Sequence, residues 1–352
     1  MIMENPKQIV FFVTNRCNAR CPHCFYWKSM QEPEGEMSLE EISKINFEGV
    51  KSIAVTGGEP TVRSDFAEIC ALLGKRTKYL TVNSNGLLPA KLRPVLMANR
   101  DITLQLSIDG TEEVHDGIRG KGTFKTLMST LEMARELDVK TVIVTTVSKK
   151  NAEGLEDLVV FLNRNRYVFE HRFNITRGIG SSLFNLPQDL TNFHSPRDTE
   201  IMLSLPETEA VAARLRELNR RYRFWQAPNQ KIMEYTIRVL KEKRKILPCY
   251  AGTEEGVIYP NGDVAFCEFT KPFANLRDFA YDLNALWNSR QADEMRKMTR
   301  ACFCTHSCNL STAIGKKHST ELLVRRALTR HMVRRVTGEL KRGIGKRVRA
   351  RA

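Results

Sequence analysis

Residues 9–24 read Ile9-Val10-Phe11-Phe12-Val13-Thr14-Asn15-Arg16-Cys17-Asn18-Ala19-Arg20-Cys21-Pro22-His23-Cys24. The apolar run Ile9–Val13 has the composition of a strand. The loop that leaves it presents three cysteines spaced C-x3-C-x2-C. A cubane iron–sulfur cluster has four irons, each normally capped by a thiolate. Three thiolates this close together leave one iron without a protein ligand, and an open coordination position separates a catalytic metal centre from a structural one. Zinc would want C-x2-C pairs or a fourth Cys or His nearby, and His23, between two of the cysteines, would have to bend back to serve. Disulfides fit less well. Nine cysteines is an odd number, and the start Met1-Ile2-Met3-Glu4-Asn5-Pro6 lacks the basic region and apolar core of a secretory signal.

Beyond this loop, strand-like and helix-like segments alternate. Ser38-Leu39-Glu40-Glu41 has the form of a capping box opening a helix. Strands are expected at 51–55, 79–82, 101–108, 140–147 and 169–175. Helices are expected at 65–73, 90–98, 123–137 and 155–163. Strands alternating with helices over about 170 residues imply right-handed βαβ units and a parallel sheet. The 352 residues, 42% hydrophobic, supply ample core for one large α/β domain and a smaller one. No uninterrupted apolar stretch approaches the roughly 20 residues needed to span a bilayer.

Several strand ends carry short polar motifs. Thr56-Gly57-Gly58-Glu59-Pro60 follows the second strand, where two glycines allow the backbone a close approach to a ligand. Ser84-Asn85-Gly86 ends the third strand and also reads as an ordinary Asn-Gly turn. Ser107-Ile108-Asp109-Gly110 ends the fourth, and Arg119 follows in His115-Asp116-Gly117-Ile118-Arg119-Gly120. A guanidinium offers bidentate donors and never deprotonates, which suits a carboxylate partner. Thr145, Thr146 and Asn151 close the fifth strand as further pocket candidates. Cys70 lies in an apolar helical run and reads as a small core residue.

The C-x3-C-x2-C loop, followed one strand later by Gly-Gly-Glu-Pro, resembles the radical S-adenosylmethionine (radical SAM) superfamily. The resemblance implies an α/β fold, a partial (β/α)6 TIM-like barrel with its chemistry at the C-terminal strand ends. It implies a [4Fe–4S] cluster on Cys17, Cys21 and Cys24, whose fourth iron chelates S-adenosylmethionine (SAM) and supports its reductive cleavage to a 5′-deoxyadenosyl radical. His23, Gly57, Gly58, Glu59, Asn85, Ser107, Asp109 and Arg119 are the implied cofactor-binding residues. Of these, the Gly-Gly-Glu-Pro turn would meet the SAM amino group and Arg119 its carboxylate. No catalytic acid, base or radical-quenching residue is singled out.

A second cysteine group follows. Cys249-x12-Gly262-x4-Cys267 encloses two short strands joined by a Pro-Asn-Gly-Asp turn, and Cys302-Phe303-Cys304-Thr305-His306-Ser307-Cys308 comes after. The first half resembles the signature of the SPASM/twitch extension of radical SAM enzymes, which holds auxiliary [4Fe–4S] clusters. A full extension has seven cysteines. The five here, Cys249, Cys267, Cys302, Cys304 and Cys308, suffice for one cluster with one thiol over, and a zinc knuckle would use the same residues. Which of Cys302 and Cys304 is a ligand stays open at this level.

The expected organisation is a core over 1–185, a helical linker over 186–245 with helices at 207–222 and 230–245, an auxiliary cluster domain over 246–312, and a tail over 313–352. The net charge is +15, and the tail holds 13 Lys/Arg against Glu321 and Glu339, leaving the other 312 residues at +4. From Leu322 to Leu340 apolar residues recur every four positions among arginines, the pattern of a basic amphipathic helix. Such a helix can meet an anionic membrane surface through residues 316–342, bind nucleic acid, or pack on the body. The expected function is hydrogen abstraction from an unidentified lipid-linked, glycan or peptide substrate, with a flavodoxin or ferredoxin as reductant, in the cytoplasm or at the inner membrane surface. One alternative is a ribosomal-peptide maturase served by a separate recognition protein, since only 16 residues precede Cys17. Another is a non-catalytic, nucleic-acid-binding metalloprotein.

Overall fold

The computed structural model describes residues 3–29, 35–165, 170–179, 181–192, 194–222 and 227–317. The amphipathic segment 322–340 lies outside them. Six strands, β1 (Gln8–Phe12), β2 (Ser52–Thr56), β3 (Tyr79–Ser84), β4 (Thr103–Ser107), β5 (Thr141–Val147) and β6 (Glu170–Ile175), pair in parallel in sequence order. Between them run α1 (Leu39–Lys44), α2 (Phe66–Gly74), α3 (Pro89–Ala98), α4 (Glu112–Arg119), α5 (Thr123–Glu136) and α6 (Leu155–Asn165). Parallel strands need such crossovers, because a tight turn cannot bring the chain back to the same end. The capping box at α1 is formed: Ser38 and Glu41 each satisfy the other's backbone N–H.

Burial alternates along the strands, and that alternation makes the cavity. In β2 and β4 every second residue is buried while its neighbours stay half-exposed. The buried set (Ile53, Val55, Leu80, Val82, Leu104, Leu106, Ile143) packs under the helices in one continuous core. The opposite face carries Thr56, Asn83, Ser107, Thr146 and Asn174 near the strand ends. A closed barrel fills its interior with layers of bulky side chains. Here the sheet stays open, and short polar residues leave room at its C-terminal edge.

The sheet does not stop at β1. After α7 (Leu205–Tyr222) and α8 (Ala227–Glu242), the strand β7 (Glu255–Ile258) pairs in parallel with β1, Gln8 opposite Glu255. Then β8 (Asp263–Ala265) and β9 (Ala274–Asn275) follow antiparallel. The result is one nine-stranded sheet in the order β6-β5-β4-β3-β2-β1-β7-β8-β9. The two short strands expected around Pro260-Asn261-Gly262 are present. They continue the core sheet, and Phe266, Leu276, Leu286 and Trp287 share its hydrophobic core. Helices α7 and α8 bury Val211, Leu215 and Met233 against Val147, Val159 and Phe173 at the far end of the sheet. Helices α9 (Leu283–Trp287) and α10 (Arg290–Thr299), and a helix over 307–317, complete the described chain.

Candidate metal centre

The cysteine loop is clamped to the turn after β2 through its backbone. Val13 N–H donates to Thr56 O at 2.9 Å, Gly58 N–H to Thr14 O at 2.9 Å, and Glu59 N–H to Arg16 O at 2.8 Å. The approach is so close that a Cβ on Gly58 would stand 2.6 Å from Arg16 C and 2.8 Å from Asn15 O. The two glycines therefore seat the cysteine loop. Buried Arg63 adds a brace that no motif announced: it donates to Val13 O at 2.7 Å and to Met37 O at 3.1 Å, and pairs with both Asp65 oxygens.

Cys17, Cys21 and Cys24 converge at the mouth of a cavity of about 250 Å³. Its walls include His23, Gly58, Glu59, Asn85, Ser107 and Arg119 from the sequence-derived set. Asp109 is buried behind the wall, and Gly57 packs against the Thr14 backbone outside the lining. Thr146 borders the cavity, whereas Thr145 is buried and donates to Ile108 O, and Asn151 braces Asp109 O and Thr146 O through its amide. Asn83, Asn174 and Arg177 also border it and were missed. Asn83 and Asn174 had a signal, being polar positions near the C-terminal ends of their strands. Arg177 had none.

Glu59 is fully buried and held from four directions. One oxygen accepts from Thr61 N–H (3.1 Å), Thr61 Oγ1 (2.6 Å) and Ser84 Oγ (2.8 Å), and the other from Asn85 N–H at 2.7 Å. Burial pushes its carboxyl above the ordinary range, and these donors pull the other way. Asn85 in turn donates to Asn18 Oδ1 at 2.7 Å, so Glu59 links the cysteine loop to the end of β3.

Asp109 is completely buried. It accepts from Arg119 Nε at 2.6 Å and from Thr146 N–H at 2.9 Å, while His23 Nε2 stands 3.8 Å away. Burial works against its charge, but Arg119 and then His23 hold the carboxyl below its usual range. Arg119 is held firmly cationic: burial opposes its charge, and Asp109 outweighs that. Its Nη1 lies 3.8 Å from Cys21 Sγ, so a fixed positive charge faces the thiol cluster. Burial lowers the His23 and His115 imidazoles to about 4, and the Asp109 N–H donates to His115 Nδ1 at 3.2 Å.

The second cysteine group divides four to one. Cys249, Cys302 and Cys304 line one small cavity, and Cys267, Cys302 and Cys304 pack with Leu183 and Phe269. Cys302 and Cys304 thus both join Cys249 and Cys267. Cys308, one helical turn on, lies instead with Glu268 and His306. C-x-C brings neighbouring thiols to one site, whereas the helix beginning at 307 rotates Cys308 away.

Both sets suit iron–sulfur clusters. Burial pushes the Cys17 thiol up to about 11 and those of Cys24 and Cys302 up to about 12, and raises Cys21, Cys249, Cys267 and Cys304. Ligation by these thiols therefore releases protons. Among the described residues neither set gathers three sulfurs within 4.8 Å; the close three-ligand group found is Glu268, His306 and Cys308. A tetrahedral zinc ion would draw thiolates to about 3.8 Å of one another, whereas a cubane spreads them over its separate irons. Beside the first set, His23 Nδ1 and Asn83 Oδ1 are buried without a hydrogen-bond partner among the described residues. Buried polar atoms are rarely left so, which fits a polar ligand against this wall.

Fold and site together define an open α/β protein that brings three cysteines together at one place and four at another. Residues 11–162 match the radical SAM superfamily model, and residues 249–309 match a SPASM iron–sulfur cluster-binding domain. The chain thus carries a radical SAM superfamily domain and, after it, a SPASM-type iron–sulfur cluster-binding domain. It is 31% identical over 160 residues to the sporulation killing factor maturation protein SkfB of Bacillus subtilis, covering 44% of this chain and 39% of that one. It is 26% identical over 321 residues to the subtilosin biosynthesis protein AlbA of the same organism, covering 86% and 64%. The chain thus spans between about two fifths and two thirds of these relatives. Among solved structures, Streptococcus suis SuiB bound to S-adenosylmethionine superposes with a TM-score of 0.63 at 15% identity, covering 83% of this chain and 68% of that one. The enzyme anSMEcpe with bound AdoMet gives 0.60 at 18% identity and 82% of each.

Proposed function

We propose that this protein is a radical SAM enzyme that abstracts hydrogen from a peptide, with one auxiliary [4Fe–4S] cluster assisting. The carrying observation is the convergence of Cys17, Cys21 and Cys24 on a cavity walled by the polar ends of the parallel strands, with the Asp109-anchored Arg119 facing Cys21. When bound, the cluster and SAM supply a 5′-deoxyadenosyl radical to the cavity. In this reading Arg119 presents its guanidinium to the SAM carboxylate, and Gly58, Asn85, Ser107 and the inward-facing Asn83 address its other polar groups. Glu59 orders the turn that carries them. His23, neutral at physiological pH, closes the wall against Asp109.

Cys249, Cys267, Cys302 and Cys304 form a complete ligand set for the auxiliary cluster. An iron with no free position exchanges electrons rather than binding substrate, and a ferredoxin or flavodoxin is the fitting one-electron reductant. The peptide reading is supported by SkfB and AlbA, which are maturation and biosynthesis proteins, and by SuiB, solved also with its precursor peptide. Among the described residues no helix is long and apolar enough to cross a membrane. The charge of 316–342 supports contact with an anionic surface.

Replacing Cys17, Cys21 and Cys24 together with alanine should remove about four irons per chain and abolish reductive SAM cleavage, leaving the auxiliary iron in place. Deoxyadenosine formation at the wild-type rate by this variant would refute the assignment.

A further inference from the structure

Cys308 does not join the auxiliary set, and its surroundings have their own chemistry. Ligand atoms of Glu268, His306 and Cys308 all lie within 4.8 Å of one another. Glu268 follows Cys267 in the loop after β8, while His306 and Cys308 flank the start of the helix over 307–317. The His306 ring is 2% exposed, and its Nε2 stands 2.6 Å from Glu268 Oε2. Its Nδ1 is buried with no hydrogen-bond partner among the described residues. Cys308 is exposed to solvent. Desolvation, and then Glu268 and Glu255, push its thiol up to about 12.

A second carboxylate stands near the group. Glu255, on β7, is 8% exposed. One of its oxygens accepts from Thr312 Oγ1, and the other is buried without a partner among the described residues. Burial raises its carboxyl, and the charge of Glu268 raises it further. A half-buried carboxylate, a buried imidazole and a thiol thus lie together, with the buried Glu255 nearby. Arg177 stands beside Glu268, its Nη2 committed to Ser307 Oγ at 2.6 Å and its guanidinium over the Phe269 ring. Buried polar atoms without a partner are costly and are ordinarily hydrogen-bonded or bound to a metal.

We propose that Glu268, His306 and Cys308 bind a single divalent transition-metal ion of borderline softness, Zn²⁺ in the first instance, at a site separate from both clusters. The mixed O, N, S donor set suits such an ion. Tetrahedral coordination at Zn–ligand distances of about 2.0–2.3 Å separates donors by about 3.3–3.8 Å, so the His306–Glu268 pair, at 2.6 Å, must open by less than about an ångström while the widest pair closes by no more than about one. Glu255 stands outside this ligand set as a nearby buried carboxylate. With three protein ligands the ion keeps an open position. Arg177 borders both this group and the SAM cavity, which sets the ion beside the space where substrate enters. The site goes beyond the radical reading and does not depend on it.

The test uses the full chain, purified anaerobically with its clusters. Iron, sulfide and zinc are counted per chain, and Co²⁺ is titrated as the probe. The wild type should hold one zinc, or take up one cobalt with thiolate charge-transfer and d–d bands, beyond its iron. Cys308→Ser and His306→Gln should each weaken that uptake by more than the roughly 10–100-fold that even outer-shell changes cost, with iron and sulfide unchanged. Wild type that takes up neither metal beyond its iron overturns the proposal, as do variants that bind cobalt as the wild type does. Loss of about four irons from Cys308→Ser would make Cys308 an auxiliary-cluster ligand; that result overturns the metal site while leaving the radical SAM reading standing.

Discussion

Replacing Asp109 with asparagine tests how the site holds its positive charge. Asp109 and Arg119 are 0% and 9% exposed, so solvent cannot take over when the pair is broken. In Asp109→Asn one amide oxygen can still accept from Thr146 N–H or from Arg119 Nε, but the amide NH₂ then faces the other donor. Either orientation leaves one buried donor unmet, and the guanidinium loses its counter-charge. Removing one partner of a buried pair costs about 3–5 kcal/mol. With a urea dependence of about 3 kcal/mol per molar or more for a chain of this size, the unfolding midpoint should fall by about 1 M. The assay is urea unfolding of the cluster-free protein, followed by circular dichroism. The double variant Asp109→Asn/Arg119→Met supplies the control, since it removes the orphaned charge and should recover much of the loss. An unchanged midpoint in Asp109→Asn, or strictly additive losses in the double variant, would show that the pair is not coupled as the geometry requires.

Two further perturbations address the loop and the tail. Gly58→Ala forces a methyl against the backbone of Asn15 and Arg16, so the cysteine loop must move. Anaerobic reconstitution should then yield about four fewer irons per chain, with the auxiliary cluster signal retained by electron paramagnetic resonance; full iron content would refute the clamp. Deleting residues 318–352, which spares the Lys316–Glu254 ion pair, should abolish co-sedimentation with anionic vesicles. Binding by the intact chain should weaken as the Debye length shrinks from about 10 Å at 0.1 M salt to about 3 Å at 1 M. An intact chain that ignores such vesicles at low salt would leave the tail without this role.

Local patterns carried much of this protein into view before any coordinates. The C-x3-C-x2-C spacing, the Gly-Gly-Glu-Pro turn, the Ser38 capping box and the alternation of strands with helices are short-range features. Backbone sterics, capping and burial period decide them within a few residues. The same reasoning brought His23, Glu59, Asn85, Ser107 and Arg119 to one cavity wall, because parallel strands in sequential order end at one edge. It could not separate wall from scaffold: Asp109 is buried behind the surface, Gly57 packs on Thr14 outside the lining, and Asn83, Asn174 and Arg177 stand on it. That distinction depends on side-chain direction and on loops meeting from distant parts of the chain. The longest-range events were the least legible. Gln8 pairs with Glu255 across nearly the whole described chain, joining the second cysteine group to the first sheet. The five late cysteines divide four to one because a helix begins at 307 and carries Cys308 round to Glu268 and His306. Spacing counts thiols; the path of the backbone between them assigns each to its site.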